Sequence, residues 1–600
     1  MAVAFSGVWL IVAGLGLTFA LGAPIDAALT QAFGPNPITH GSASPWLWGV
    51  GPIAGWPAWA PLAFAALGAA LAAYAARVRG WSRVRDWLIA HERLMWIVVF
   101  VLVVGGLWYW RVAGSQGDAF KYLIMLRDDK WFVMSQPLST ALFSLAYAVL
   151  QPLGWPPAGA AAVVNVLAGA VWLIAALSLA RTAPVASIAI ITAIVAGGVV
   201  VFFGYIETMA WPLALATLYL LAAQRVLAGR SPWPAALCFG LTVAAHGQML
   251  LLGPSLLVVA FEVLRRQGRW RAAAFAALAA APIALIVGMA LLNQDRIYDT
   301  LVGDALGGGD QRMFVPLIGL TTTAERYTLF SGWHLWEIVN LMLRAGPWLP
   351  VAAVGAVIGW RAARREVRSL FWALVFAGSV AFVALWNSDF GMNLDWDLYV
   401  PPVMLALLAA AMLWPSDWRL RPSELGAAAG LSFGATALSL LTFMPTAAWS
   451  PWNVDVVLSG RPLYVRYGDV AELVSVDLST ETARAGETWS VTTTWRLRRS
   501  TEVQYTSAVH VVEQTPDGPR LMAQHDARPV APVDWPNPRF TDAWIVGELV
   551  RDLHAVPIPG DAPPGVYEAW AVLYDLTTGQ RLSVGDGDHV VIGIVTITSP

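Results

Sequence analysis

Over the first three quarters of the chain, apolar residues run in stretches too long and too uninterrupted for a water-soluble helix. They fall at about 5–22, 57–76, 94–110, 160–180, 185–204, 209–225, 233–246, 248–264, 272–292, 348–360, 369–386, 398–414 and 425–444. Stretches of this length match the hydrocarbon thickness of a bilayer and predict about thirteen transmembrane helices. The first run has no basic segment ahead of it and is read as a retained helix. Two further segments, 138–153 and 333–345, predict helices lying along the membrane interface. From about Val456 the period changes to two. Trp489, Val491, Thr493, Trp495 and Leu497 alternate with polar residues, as do Tyr505, Ser507, Val509 and Val511, and then Tyr567, Ala569, Ala571 and Leu573. Turn signals at Pro516-Asp517-Gly518 and Pro563-Pro564-Gly565 separate these runs. The pattern predicts a β-sandwich of roughly 140 residues. The expected division is 1–447, a polytopic α-helical membrane domain, and 448–600, a β-sandwich domain.

Composition agrees with a bilayer as the main solvent, since 58% of the residues are hydrophobic and 13% charged. The net charge of −2 gives no ground for nucleic-acid binding. A single cysteine, Cys238, excludes an intramolecular disulfide and a thiolate metal cluster. Arginines gather in alternate connections, at 77–93, 181, 225–230, 265–271, 361–368 and 419–421. By the positive-inside rule those connections are cytoplasmic, together with the N-terminus, and the β-sandwich is extracytoplasmic in a multi-pass cell-membrane protein.

The polar residues near the membrane collect on the opposite, outer side. The first large outer loop holds Gly117-Asp118, Lys121 and Arg127-Asp128-Asp129-Lys130; Tyr205-Ile206-Glu207-Thr208 forms a later turn. His246 ends a span, and Asn393-Leu394-Asp395-Trp396-Asp397 precedes another. Ionisable groups at membrane depth are costly, so each is a functional candidate. Each also has a structural reading. Asp128 and Asp129 read first as a solvated cluster with Arg127 and Lys130; Glu207, Asp395 and Asp397 suit helix starts; His246 suits an interfacial histidine. Asp118 is harder to assign to structure, since it follows a glycine and precedes no obvious span. Basic residues on this side, among them Lys121, Arg127, Arg312 and Arg344, suit a phosphate or diphosphate head group. Arg312 follows the glycine-rich stretch Gly307-Gly308-Gly309, which reads equally as a plain linker and as a loop folding over a substrate.

Over residues 94–414 these features resemble the GT-C class of polyprenyl-phosphate-sugar-dependent glycosyltransferases, particularly bacterial members related to protein mannosyltransferases. The resemblance is carried by Gly117-Asp118, Gln136-Pro137-Leu138, Tyr205-Ile206-Glu207-Thr208, His246, His334-Leu335-Trp336-Glu337-Ile338-Val339-Asn340 and Asp395-Trp396-Asp397-Leu398. Many mannosyltransferase-type members carry two adjacent acids in the first loop, where here Ala119 follows Asp118. The resemblance implies a GT-C fold, a polyprenyl-phosphate sugar donor and a glycan, lipid or protein acceptor. It also implies that Asp118 takes the proton of the acceptor hydroxyl. Lys121, Arg127 and Arg312, with His334 next, are candidates to stabilise the leaving lipid phosphate. Asp128, Asp129, Glu207, His246, Asn340, Asp395 and Asp397 complete the expected substrate-binding set. No cofactor and no metal site is predicted, although Asp118, Asp395 and Asp397 would offer oxygen ligands to a divalent ion. The competing class is a multispan transporter or flippase. Acids strung along a path through the bilayer would favour that class, and acids gathered at one face the enzyme.

Overall fold

Two compact units make up the chain, residues 1–112 with 116–152 and 160–444, and residues 445–600 with 113–115 and 153–159. The computed structural model describes residues 2–33, 59–77, 129–184, 196–299, 314–318, 327–417, 421–443, 461–527 and 549–599, apart from 154, 156, 388–391, 393, 394, 500, 502, 517 and 586; elsewhere it describes 46–50, 57, 101, 104–108, 122, 125, 126 and 541.

The first unit is helical. Its described helices are α1 (Ala2–Phe33), α2 (Ala60–Arg77), α3 (Pro137–Leu150), α4 (Pro157–Ala180), α5 (Ala210–Leu227), α6 (Trp233–Ala245), α7 (Gly253–Gln267), α8 (Arg269–Leu292), α9 (Gly332–Ala345), α10 (Leu349–Ala363), α11 (Val367–Leu385), α12 (Val400–Leu413) and α13 (Pro422–Phe443). Proline stands in the first turn of α3, α6, α7, α10 and α12, where its missing N–H has no helical partner to lose. Among the described residues six helices have the length and apolarity to cross a bilayer, and α9 with α10 makes a seventh if that bent pair counts as one span. The predicted spans at 94–110 and 185–204 lie largely outside the described residues; of the second, Gly197–Phe202 is a short 3-10 turn.

Small residues let two helices meet at backbone distance. A Cβ on Gly68 of α2 would come 2.1 Å from the Gly426 carbonyl of α13, and one on Gly430 would come 2.2 Å from the Phe64 carbonyl. The Gly426-x-x-x-Gly430 spacing places both on one helical face, the arrangement that favours close packing where lipid supplies no hydrophobic drive between helices. α12 lies at the centre, with every residue from Val400 to Leu413 buried.

Helix direction alternates along the chain, so the bundle has two chemically distinct ends. At one end, Arg265 and Arg266 pair with Glu262, Arg266 reaches the Leu227 carbonyl, and Arg368 reaches the Thr182 carbonyl. This is the arginine-rich end. The other end holds the 203–209 turn, His246, residues 293–299, α9 and residues 386–399. There α9 bends by 95° against α10. α9 is amphipathic in an inverted sense: His334, Glu337 and Asn340 are buried, while Trp333 and Leu335 are exposed. A helix with polar groups inside and apolar groups outside fits an environment of lipid, as expected of an interfacial helix.

The second unit is a two-sheet β-sandwich. Short β1 (Phe132–Val133) and β2 (Ile297–Asp299) pair in the first unit; the sandwich comprises β3 (Arg461–Tyr467), β4 (Ala471–Leu478), β5 (Thr482–Arg484), β6 (Thr488–Leu497), β7 (Tyr505–Thr515), β8 (Gly518–Ala527), β9 (Leu549–Pro557), β10 (Gly565–Asp575) and β11 (Val590–Thr598). One sheet runs β5-β11-β10-β7-β8 and the other β3-β4-β6-β9. Trp489, Val491, Trp495 and Leu497 of β6 face the same core as Val509, Val511, Ala569, Ala571 and Leu573, as their period-two spacing requires.

Candidate functional site

The site is built on the turn between the 3-10 helix Gly197–Phe202 and α5. Asn165, an amide in the middle of the otherwise apolar α4, is fully buried and donates from Nδ2 to the carbonyls of Tyr205 (2.5 Å) and Glu207 (2.8 Å). One side chain thus fixes the backbone of both Tyr205 and Glu207. The next residue, Thr208, joins a second buried network: its hydroxyl donates to the Gln136 side-chain oxygen, and Gln136 Nε2 donates to the Tyr122 hydroxyl at 2.6 Å. Glu207 does not cap α5, whose N-cap is Met209 with no side-chain hydrogen bond.

Against this turn sits the 3-10 segment Trp396–Tyr399. The Trp396 ring lies 5.8 Å from that of Tyr205, and the Arg344 guanidinium at the end of α9 lies over the Trp396 ring at 4.0 Å. Gly197 allows α9 this close, since a Cβ there would be 1.9 Å from the Arg344 carbonyl. Glu207, Asp397 and Tyr205 are all buried. The Tyr205 hydroxyl is buried without a hydrogen-bond partner among the described residues. Burial, above all, and then the carboxylates of Asp397 and Glu207 hold this phenol well above its ordinary pKa; Arg344 opposes them and Asp395 adds to them. Its hydroxyl therefore keeps its proton and is a donor in search of an acceptor. Three carboxylates, a phenol and a stacked guanidinium thus share one electrostatic neighbourhood, the kind of gathering that marks a candidate functional site. Among the described residues no group of three or more His, Cys, Asp or Glu side chains has the geometry to hold a metal.

The other sequence candidates fall elsewhere. Asp118, Lys121, Arg127, Asp128 and Arg312 lie outside the described residues. Asp129 is largely exposed, pairs with Arg296 at 2.9 Å and accepts from Trp131 Nε1 at 3.2 Å, while Arg296 also lies 5.5 Å from the Trp131 ring. This is a surface brace that fastens the segment before α3 to residues 293–299. His246 Nδ1 accepts from the Gln248 N–H at 3.2 Å and so caps the 3-10 helix Gly247–Leu252. Asn340 donates to the Trp46 carbonyl (3.1 Å) and accepts from the Gly49 N–H (3.0 Å), with Glu337 accepting from Trp48 Nε1 (3.0 Å). These two side chains hold the 46–50 segment against α9. His334 Nδ1 lies 2.9 Å from the Leu329 carbonyl, which can only accept. The proton is therefore on Nδ1, and the neutral ring offers Nε2, buried and without a partner, as an acceptor. In that form His334 suits a hydroxyl, not the phosphate oxygen for which it was a candidate.

Sequence reasoning missed Asn165. A lone amide within the apolar run Pro157–Ala180 was the available signal. It also placed Tyr205 in a motif without a role and named Arg344 only among the basic residues that suit a phosphate head group.

No protein-family model and no curated protein matches the chain. Among solved structures it is similar to ArnT from Cupriavidus metallidurans bound to undecaprenyl phosphate, with 15% identity and a TM-score of 0.38 over 58% of this chain and 77% of that one. Arabinosyltransferase EmbB from Mycobacterium smegmatis is similar with 13% identity and a TM-score of 0.34, over 83% of this chain and 64% of that one. Both likenesses are faint, and the site stands on its own geometry.

Proposed function

We propose that this chain is a membrane glycosyltransferase that moves a sugar from a polyprenyl-phosphate donor to an extracytoplasmic acceptor. The observation that carries the reading is the buried group of Tyr205, Glu207 and Asp397 beside the half-buried Asp395 and Arg344, at the end of the bundle away from the arginine-rich connections. The buried carboxylates of the described first unit, Glu207, Glu262, Glu337, Asp397 and Glu424, fall near helix ends or in α9. None lies midway along a described span, which disfavours a solute path through the bilayer.

In the proposed reaction the acceptor hydroxyl gives its proton to a carboxylate and its oxygen forms a bond to the anomeric carbon. The bond from that carbon to the phosphate oxygen breaks, and polyprenyl phosphate leaves with the electron pair. Asp118 is the proposed base. Glu207, Asp395 and Asp397 accept from sugar hydroxyls, Tyr205 donates to one, and Arg344 with the basic first-loop residues offsets the charge developing on the phosphate.

The test uses the full chain in vesicles with labelled polyprenyl-phosphate sugar and membrane glycoconjugate as acceptor. Asp118→Asn should bind donor and transfer sugar at least ~10²-fold more slowly, the lower range for a positioned base. Normal transfer by Asp118→Asn with loss in Asp128→Asn would move the base along the loop. Movement of intact donor across the bilayer without transfer would replace the enzyme with a flippase.

A further inference from the structure

Two strips of chain at the site's end of the bundle, one irregular and the other running from a turn into the first turn of α9, point large apolar side chains outward. In the first, Phe314, Leu317 and Ile318 are exposed, Ile318 to 91%. In the second, Phe330, Trp333 and Leu335 are exposed, Phe330 to 84%. Hydrogen bonds tie the strips to each other and to a spanning helix. The Leu329 N–H donates to the Pro316 carbonyl at 2.8 Å, and the Val315 N–H donates to the Leu385 carbonyl at the end of α11 at 2.9 Å. The Phe314 ring also meets Trp386 edge-on, with centroids 6.1 Å apart.

In water, so much contiguous apolar surface would be unfavourable and would mark a membrane or partner contact. Three features identify the occupant as lipid. No Asp, Glu, Lys or Arg occurs in 314–318 or 327–336, so nothing in these strips would direct a charged partner. The neighbouring elements also turn apolar side chains outward, Leu335 on α9, Val354 and Val357 on α10 and Leu385 on α11, as helices long and apolar enough to cross a bilayer do. The exposed ring of Trp333 is of the type that settles at the level of the lipid head groups, and the apolar rings of Phe314 and Phe330 suit the acyl side of that boundary. Depth follows from the backbone. Irregular chain does not lie in the hydrocarbon with unpaired groups, but a strip whose N–H groups are partly paired can sit at its boundary.

We propose that residues 314–318 and 329–335 form a hydrophobic lip seated at the boundary between head groups and acyl chains, in the leaflet at the site's end of the bundle. Its occupant is bilayer lipid, and the proposal is independent of the reaction catalysed.

Replacing the sole cysteine (Cys238→Ala) allows single cysteines to be placed at Ile318, Phe330 and Leu335, with Asp561→Cys as an exposed control in the sandwich. Each full-length variant is spin-labelled, reconstituted into phosphatidylcholine–phosphatidylglycerol vesicles and tested for collision with oxygen and with a water-soluble nickel chelate. At all three lip positions oxygen collisions should exceed nickel collisions, and at Asp561 the order should reverse. Nickel accessibility at Ile318 and Phe330 like that at Asp561 would make the lip an aqueous surface and overturn the proposal. Low accessibility to both reagents would overturn it in favour of a protein partner or a second copy. The three positions are read separately, so one variant that fails to fold leaves two to decide.

Discussion

The guanidinium of half-buried Arg344 lies over Trp396, 4.0 Å from the ring centre, and brings its charge to Tyr205 and Asp397. Two parts of the chain separated in sequence by α10 and α11 meet in this pair. A planar cation on an indole is worth up to about 2 kcal/mol when desolvated. Arg344→Lys keeps the charge but not the plane, and transfer should fall about tenfold, the equivalent of about 1.4 kcal/mol. Arg344→Gln should fall further, because it also leaves the carboxylates without their cation. Trp396→Phe should be milder than either. Initial rates of transfer from labelled donor in vesicles would check the order, and equal rates in all three would detach the pair from the site.

Asn165 tests whether the turn must be held. Asn165→Ala removes the donor to the Glu207 carbonyl and leaves the Tyr205 carbonyl with only the Glu207 N–H, at 2.8 Å. A buried acceptor left unmet costs about 1–3 kcal/mol. The expected result is a lower thermal midpoint in detergent and a loss of transfer larger than the fraction unfolded explains. Asn165→Asp, which points a carboxylate at two carbonyls, should be worse than alanine.

Much of this architecture was legible because the bilayer imposes a simple rule on sequence. The run at 272–292 became α8, 369–386 became α11, and the interfacial stretch 333–345 became α9, since length and apolarity alone decide such elements. The period of two in Trp489 to Leu497 gave a strand for the same kind of reason. The site was less legible. Glu207 and Asp397 were visible as acids out of place, but their company depends on which helix ends meet. Asn165 and Arg344 lie roughly 40 and 140 residues from the turn they serve, beyond the reach of any local pattern. Asp129 and Asn340 show the converse, polar residues at the right end of the bundle whose atoms are occupied in holding chain to chain.

The contact between α2 and α13 predicts an asymmetry among glycines. Gly68→Val would drive a side chain into the Gly426 carbonyl, 2.1 Å from the position of its Cβ, and the helices would have to separate. Gly14→Ala on α1 meets nothing within 4 Å and replaces a poor helix former with a good one, a gain of about 1 kcal/mol at most. Size-exclusion profiles and thermal midpoints in detergent should show Gly68→Val aggregated or strongly destabilised and Gly14→Ala unchanged or slightly improved. A well-behaved Gly68→Val would mean that the two helices do not pack this closely.

Acid should weaken the sandwich through two groups with the same sign. Asp526 on β8 is held below its ordinary 3.8, mainly by its hydrogen bond from His510 and also by the Tyr574 hydroxyl at 3.2 Å. A depressed carboxyl stabilises the fold above its unfolded pKa, and that contribution is lost as pH falls through the folded value. His525 is held below its ordinary 6.5, chiefly by burial and then by the neighbouring His554, with Asp552 and Asp526 opposing. A histidine kept neutral by the fold contributes nothing above 6.5; below it, protons bind the unfolded chain preferentially and stability declines. The upper part of the decline, from about pH 6.5 downward, therefore belongs to His525, and the part below 3.8 to Asp526. His525→Gln cannot titrate, so the midpoint of the sandwich, followed by its near-ultraviolet signal in the full chain, should become flatter between pH 7 and 5. Asp526→Asn should remove part of the loss below that interval and, because Asp526 opposes the depression of His525, leave the interval itself no flatter than in the parent. A slope between pH 7 and 5 that survives in His525→Gln would assign the acid sensitivity to another group.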